Sequence, residues 1–183
     1  ADGIACDASA ISGGSASFEF VNLLQRHTFR SNIAPLIDAS GGYKEFERIN
    51  IRLIDSENAE DFIKISLYKS KGIYVASVND GNPVKLATTW ANQTDEFDVS
   101  CNFNTNMCSI NGGIIKFDLN NYYLSEKPVK FENRIRMSVE IIGTNPSGIL
   151  FRSLNGQSFS DNTDEYVGPN IDVTRDKNAG EKN

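Results

Sequence analysis

Hydrophobic and polar residues alternate with a period of two along most of this chain. The plainest example is residues 48–54, RINIRLI, in which Ile49, Ile51 and Leu53 fall on one side and polar residues on the other. Such alternation is typical of a β-strand with one buried face. The same pattern predicts strands at residues 17–23, 48–54, 62–68, 73–78, 84–89, 97–101, 108–110, 114–119, 135–141, 149–154 and 167–173.

Turn signals separate these predicted strands at short intervals. Residues 69–72 (KSKG) and 79–83 (NDGNP) each join two strands, and Asp-Gly is a strong hairpin signal. Helical signals are confined to residues 56–61 (SENAED), where the pattern supports at most one turn capped by Ser56. Many short strands with frequent turns predict an all-β fold, a two-sheet antiparallel β-sandwich of the jelly-roll type.

One predicted hairpin brings two cysteines together. In residues 95–113 (DEFDVSCNFNTNMCSINGG), a polar tip reverses the chain between two short strands. A hairpin centred between Asn104 and Thr105 places Cys101 opposite Cys108, at a separation that accepts a disulfide. This pairing predicts an oxidising compartment, and the alternative is three reduced cysteines inside a cell. Cys6 is then left to stay a thiol, cross-link two chains or pair with one of the others.

Composition and charge limit the classes of partner. The chain has 183 residues, 39% of them hydrophobic, with a formal net charge of −6 and a pI near 4.8. The acidic balance opposes a nucleic-acid partner, and no apolar run approaches the roughly 20 residues needed to insert into a membrane. The length suits a single β-sandwich domain at residues 15–173, between a flexible segment at 1–14 and a disordered charged tail at 174–183.

Two stretches carry a resemblance to a known superfamily. The hairpin of residues 95–113, which runs on into Asn-Gly, and the paired strands of residues 63–86 (IKISLYKSKGIYVASVNDGNPVKL) resemble concanavalin A-like lectin/glucanase domains. The resemblance is one of pattern and covers residues 15–173. It implies a jelly-roll fold and a choice among glycan binding, glycan cleavage and the binding of proteins or peptides.

The candidate catalytic residues are two carboxylates. Glu96-Phe97-Asp98 resembles the catalytic strand of family-16-type glucanases, in which alternate acids share one strand face. Ser100 and Cys101 stand where the final Glu of that pattern belongs, so the proton donor is missing. The single histidine, His27, has no triad or zinc motif around it. A glycan-cleaving enzyme using Glu96 and Asp98 is therefore the third-ranked function, behind two non-catalytic ones.

Glycan recognition without catalysis needs aromatic platforms beside planar polar side chains. Two polar loops of the sequence offer this combination. The predicted ligand-binding residues are Trp90 and Asn92 in one loop, and Asn120, Asn121, Tyr122 and Tyr123 in the other. The alternative for the single tryptophan is a structural role at the rim of the sandwich.

A cluster of hard oxygen ligands predicts a calcium site in a late loop. The candidate metal ligands are Asp161, Asn162, Asp164 and Glu165, and Asp80 in the 79–83 turn is a further candidate. None of these residues follows the twelve-residue EF-hand order, and a solvated acidic loop is the alternative.

The leading hypothesis is a non-catalytic, secreted or cell-surface binding module with a glycan as its ligand. A protein- or peptide-binding adhesin domain is the closest alternative, and would use an open sheet face or edge. A purely structural domain is a further possibility.

Overall fold

Two antiparallel β-sheets form the part of the chain that the structure describes. The structure is a computed structural model, and it describes residues 4–8, 14–24, 28–35, 47–60, 62–86, 96–110, 115–118, 131, 133–143, 148–154, 157–158 and 172–175. The strands are β1 Ile4–Asp7, β2 Ser15–Leu24, β3 Thr28–Pro35, β4 Arg48–Asp55, β5 Phe62–Ser70, β6 Ile73–Val78, β7 Val84–Lys85, β8 Phe97–Asn102, β9 Met107–Ile110, β10 Ile115–Asp118, β11 Ile135–Ile142, β12 Gly148–Leu154, β13 Gln157–Ser158 and β14 Asp172–Arg175.

The two sheets divide these strands equally. The first sheet has the order β1-β12-β3-β8-β9-β10, and β13 pairs with β12. The second sheet has the order β14-β2-β11-β4-β5-β6-β7. Every pair among them is antiparallel, and half of the pairs, such as β1 with β12, β11 with β4 and β14 with β2, join strands that are distant in sequence, as in a sandwich whose strands cross between layers.

The core lies between the sheets and takes the apolar half of each alternating strand. In β11, Ile135, Met137, Val139 and Ile141 are all fully buried, whereas the residues between them are partly exposed. Phe20 of the second sheet meets Phe151 of the first edge-to-face, with 5.7 Å between ring centroids. Each buried side chain of this size contributes about 1.5–3 kcal/mol to folding. The predicted two-sheet antiparallel β-sandwich is confirmed.

One long strand, β3, was not predicted. Its inward positions are Phe29, Ser31 and Ile33, and the polar Ser31 breaks the apolar alternation. Ser31 is 2% exposed, and its hydroxyl donates a hydrogen bond to the backbone carbonyl of Ser153 at 2.7 Å. The buried hydroxyl is therefore satisfied by a partner 122 residues away, which no local pattern predicts.

The two ends of the chain also differ from the sequence-based expectation. Ile4–Asp7 lies within the segment expected to be flexible, yet it pairs with β12 as an edge strand, and Cys6 is buried. Thr174 and Arg175 lie within the expected disordered tail, yet they pair with β2. Edge strands are held by backbone hydrogen bonds, which need no apolar alternation. The other domain boundaries stay predictions.

The capped turn expected at residues 56–61 is not helical where it is described, at residues 56–60. Asp55, the last residue of β4, accepts hydrogen bonds from the backbone N–H groups of Glu57 at 2.9 Å and Asn58 at 3.2 Å. The sequence predicted Ser56 as the residue whose side-chain oxygen caps this segment. In the structure that oxygen belongs to Asp55, and it stabilises the turn that follows β4.

Candidate functional site

The predicted glycan-binding residues, and the predicted calcium ligands other than Asp80, lie outside the described residues. This holds for Trp90, Asn92, Asn120, Asn121, Tyr122 and Tyr123, for Asp161, Asn162, Asp164 and Glu165, and for His27. The assignments stay predictions.

The predicted disulfide is present. Cys101 and Cys108 face each other across the β8–β9 hairpin and are joined by a disulfide, with seven residues of sequence separation. Both are buried, and the Asn102 side chain receives the backbone N–H groups of Asn104 and Thr105 at the tip. The hairpin geometry that placed these cysteines opposite each other is confirmed.

Asp80, the further calcium candidate, has a cationic partner. Its Oδ2 accepts a hydrogen bond from Lys64 Nζ at 2.8 Å. This hydrogen bond holds the pKa of Asp80 below its ordinary value, and the charges of Arg48 and Arg52 act in the same direction. The Asp80 carboxylate therefore forms an ion pair that joins the turn after β6 to β5.

The two candidate catalytic carboxylates, Glu96 and Asp98, are exposed on the outer side of the first sheet. Glu96 pairs with Arg152 Nε at 3.1 Å, and Asn32 of β3 lies opposite Asp98. Asp118 of β10 lies on the same side of the sheet, two strands away from β8. It pairs with Met107 of β9, which in turn pairs with Asn102 of β8, and Asn102 is four residues beyond Asp98. That offset is about 13 Å along the strands, beyond the separation used by carboxylate pairs in glycoside hydrolysis. The enzymatic role of Glu96 and Asp98 stays a prediction.

The richest set of polar groups lies on the outer face of the second sheet, the side turned away from the core. Antiparallel pairing aligns its residues in rows that run across the strands. The first row is Ile142, Arg48, Tyr68, Val75 and Lys85, the second is Glu140, Asn50, Ser66 and Ser77, and the third is Ser138, Arg52 and Lys64. Each row therefore collects side chains from three to five different strands.

Three side chains of the second row, those of Ser66, Asn50 and Glu140, are linked by hydrogen bonds. Ser66 Oγ donates to Asn50 Oδ1 at 2.8 Å, and Asn50 Nδ2 donates to Glu140 Oε1 at 2.9 Å. Arg52 Nη1 lies 3.7 Å from the same Glu140 oxygen. Asn50 is 5% exposed and Ser66 is fully buried, so these two residues form a fixed support that orients the partly exposed Glu140.

The first row holds a stacked pair. The guanidinium carbon of Arg48 lies 4.2 Å from the centre of the Tyr68 ring, which is within the range of a cation–π contact. Both side chains are partly exposed. The stack covers one face of the guanidinium and leaves the edge with its N–H groups in the plane, where a bidentate acceptor binds.

An open cleft adjoins these two rows. It has a volume of about 520 Å³ and is lined by Gly14, Ser15, Glu47, Glu140, Ile142 and Gly143. Glu140 belongs both to the cleft wall and to the hydrogen-bonded row. The volume falls within the range of small-ligand sites in proteins.

The sequence pattern did not predict a functional site on this face, although it did predict that several of its residues face outward. Arg48, Asn50 and Arg52 are the polar half of the strand RINIRLI, and the alternation alone indicated that they face outward. Their neighbours Tyr68 and Glu140 lie 20 and 92 residues from Arg48, and only the strand registers bring them together. A search for polar residues at outward positions of neighbouring strands finds the face once the strand order is known.

Metal ligands do not gather in the described stretches of the chain. Nowhere in these stretches do three or more His, Cys, Asp or Glu side chains form a group suited to a metal ion. A membrane-crossing helix is likewise absent from those stretches.

Comparison with known proteins gives similarity of fold alone. No protein-family model and no curated protein matches the chain. Among solved structures, a galectin of Caenorhabditis elegans is similar over 82% of this chain and 91% of its own, with 12% identity and a TM-score of 0.36. An alginate lyase of Pseudomonas aeruginosa is similar over 81% of this chain and 66% of its own, with 10% identity and a TM-score of 0.31. At these values neither similarity carries an argument about ligand or activity.

Proposed function

We propose that this chain is a non-catalytic binding module that acts outside the cell and binds a glycan on the outer face of the second sheet. The observation that carries the proposal is the pairing of a stacked Arg48–Tyr68 platform with the hydrogen-bonded row of Glu140, Asn50 and Ser66 beside it. Both lie next to an open cleft that shares Glu140.

The chemistry of these groups matches that of a sugar. A pyranose ring has an apolar C–H face that packs on an aromatic ring, and hydroxyls at its edge that need planar donors and acceptors. Tyr68 supplies the ring, and Arg48, Arg52 and Glu140 supply the planar polar groups. Because Asn50 and Ser66 already hold Glu140 in place, little side-chain entropy is lost on binding.

The loop residues predicted from the sequence belong to the same proposal. Trp90 and Asn92 follow β7, the strand that carries the Lys85 end of the first row. Asn120, Asn121, Tyr122 and Tyr123 offer the same aromatic and amide chemistry in a second loop. We expect Trp90 to add a second stacking surface to the one that Tyr68 provides.

An extracellular site of action is supported by the disulfide. Disulfides persist in oxidising compartments and are rare in the cytosol, where thiols are kept reduced. The Cys101–Cys108 bond is therefore compatible with secretion or display on a cell surface.

A glycan array tests the proposed function. The wild type is compared with Tyr68→Ala, Tyr68→Phe and Trp90→Ala, and Lys116→Gln on the exposed outer side of β10 in the first sheet is the matched control. We expect Tyr68→Ala and Trp90→Ala each to weaken binding at least about tenfold, which is about 1.4 kcal/mol. Tyr68→Phe and Lys116→Gln are expected to bind as the wild type does.

Thermal melting of each variant separates binding from folding. Tyr68 lies on the outer face, so Tyr68→Ala is expected to keep a cooperative transition close to that of the wild type. If the wild type binds no glycan on the array, the glycan proposal is refuted. Equal binding by Tyr68→Ala, Trp90→Ala and the wild type would refute it as well.

A protein or peptide ligand is the second candidate, and one observation favours it. Ile73 and Val84 are the large hydrophobic residues most exposed in the described part of the chain, at 42% and 37%. Val84 lies in β7, the two-residue edge strand of the second sheet, and Ile73 is the first residue of the adjoining strand β6, where it pairs with Ser70 of β5. Such an edge admits an added strand from a partner. Loss of partner binding by Ile73→Lys with retained glycan binding would assign the edge to a protein ligand.

A further inference from the structure

The part of the outer face of the second sheet that β4 to β7 form is positively charged, whereas the whole chain is negatively charged. The outward positions of β4, β5, β6 and β7 carry Arg48, Arg52, Lys64 and Lys85 and no carboxylate. The chain as a whole has a net charge of −6. A local excess of cations on an acidic protein concentrates anions at that surface.

Two of the four cations are matched by nearby carboxylates. Lys64 pairs with Asp80 of the adjoining turn at 2.8 Å, and Arg52 lies 3.7 Å from Glu140 of β11. Arg48 instead stacks on Tyr68, and Lys85 is exposed. Within the described residues, no carboxylate is paired with either Arg48 or Lys85.

Arg48 and Lys85 lie at different positions along one row. The row runs from Arg48 through Tyr68 and Val75 to Lys85, so three strand-to-strand steps separate the two cations. With neighbouring strands about 4.8 Å apart, the two positions are about 14 Å from each other. A single small anion does not reach both, whereas a chain that lies across the strands does.

The cations of this face lower the pKa of a nearby carboxylate, that of Asp80. The pKa of Asp80 is lowered first by its hydrogen bond to Lys64, and the charges of Arg48 and Arg52 lower it further.

We propose that the ligand is an acidic oligosaccharide that lies across β4 to β7, with one acidic group bound by Arg48 and a second by Lys85. This inference rests on the proposed function, because it names the class of glycan that the same face takes. Arg48 donates its edge N–H groups to a carboxylate or a sulfate while the sugar ring packs against the Tyr68 side of the stack. Tyr68 and Val75 form the floor between the two acidic groups.

The test compares charged polymers with uncharged counterparts. The probes are polygalacturonate and its fully methyl-esterified form, and dextran sulfate and unsubstituted dextran. The first pair reports on carboxylates and the second on sulfates. We expect the wild type to bind one or both charged polymers at least about tenfold more tightly than the uncharged form, and to lose affinity as ionic strength rises.

The variants locate the charges. Arg48→Gln and Lys85→Gln are each expected to weaken binding of the charged polymer, and the double variant more than either, while Lys116→Gln removes one charge from the other sheet and leaves affinity unchanged. Arg48→Lys keeps the charge but loses the planar fork, and is expected to fall between the wild type and Arg48→Gln. Lys85 is exposed, so Lys85→Gln keeps the test valid if Arg48→Gln melts early.

The outcomes separate this inference from the proposed function. Equal affinity for charged and uncharged polymers, or an unchanged double variant, overturns the acidic ligand and leaves glycan binding intact. A protein that binds no saccharide overturns both. A DNA duplex that binds as tightly as the polymers, with the same dependence on Arg48 and Lys85, shows a general polyanion surface and also overturns the acidic-glycan assignment.

Discussion

At the scale of single residues, Asp55 shows how this fold satisfies a buried charge. Asp55 is 1% exposed, and its carboxylate accepts four hydrogen bonds at 2.9–3.2 Å. Two come from the backbone of Glu57 and Asn58, and two from the backbone and side chain of Asn133. One side chain therefore ties the turn after β4 to the segment before β11. Burial of a carboxylate is tolerated only with this degree of hydrogen bonding.

Replacement of this carboxylate by an amide is expected to destabilise the protein. In Asp55→Asn one acceptor oxygen becomes an NH₂ group that faces N–H donors. We expect the free energy of unfolding to fall by about 2–3 kcal/mol, as measured by urea denaturation. Asp98→Asn, an exposed carboxylate of the first sheet, is the matched control and should stay within about 0.5 kcal/mol of the wild type. Equal midpoints for the two variants would contradict this account of Asp55.

At the scale of elements, the β8–β9 hairpin is held by three kinds of contact. A disulfide joins Cys101 to Cys108, Asn102 receives the N–H groups of the tip, and Phe103 packs edge-to-face on Phe131 with ring centroids 4.6 Å apart. The hairpin belongs to the first sheet, whereas the proposed site lies on the second. Its stability and the ligand affinity are therefore separable.

Reduction of the disulfide is expected to lower the stability and leave glycan binding unchanged. The chain-entropy model assigns a loop of this length about 2.5 kcal/mol. We expect a reducing agent to lower the melting temperature of the wild type and to have no effect on Cys101→Ala with Cys108→Ala. Thiol titration of the unfolded, unreduced wild type should count one thiol, that of Cys6. A melting temperature that is insensitive to reductant in the wild type would contradict a stabilising role for the bond.

At the scale of the whole molecule, we propose that calcium bound by Asp161, Asn162, Asp164 and Glu165 stabilises the fold. A metal that binds only the folded state at one hundred times its dissociation constant adds about 2.7 kcal/mol. For a domain of this size that corresponds to a rise in melting temperature of about 5–10 °C. We expect a chelator to remove this rise, and Asp161→Ala with Asp164→Ala to make the protein insensitive to chelator.

Asp80→Ala is the control for this calcium prediction. Asp80 is paired with Lys64, so its loss should leave the response to chelator unchanged. If the wild type melts at the same temperature with and without chelator, calcium has no place in the stability of this protein.

Much of the fold was predictable because its central strands alternate strictly. The strands β4, β5, β6 and β11 begin at the predicted residues and end within two residues of the predicted ends. The sequence pattern did not predict β1 or β3. β1 is held by pairing at the edge of its sheet, and β3 has the polar Ser31 at a buried, inward position. A pattern of residue types detects apolar faces and does not detect a strand whose polar groups are satisfied by distant partners.

The sequence by itself determined which residues of each central strand face the core and which two cysteines face each other across a hairpin, because both follow from short-range geometry. A period of two assigns a side to every residue, and a tip of a few residues sets the register of Cys101 against Cys108. Only the tertiary structure decided that Arg48, Tyr68 and Lys85 share one row and that Glu140 and Asn50 share the next. The partner of a strand in a sandwich is chosen by the packing of the whole core, so a site built across strands is absent from any local pattern.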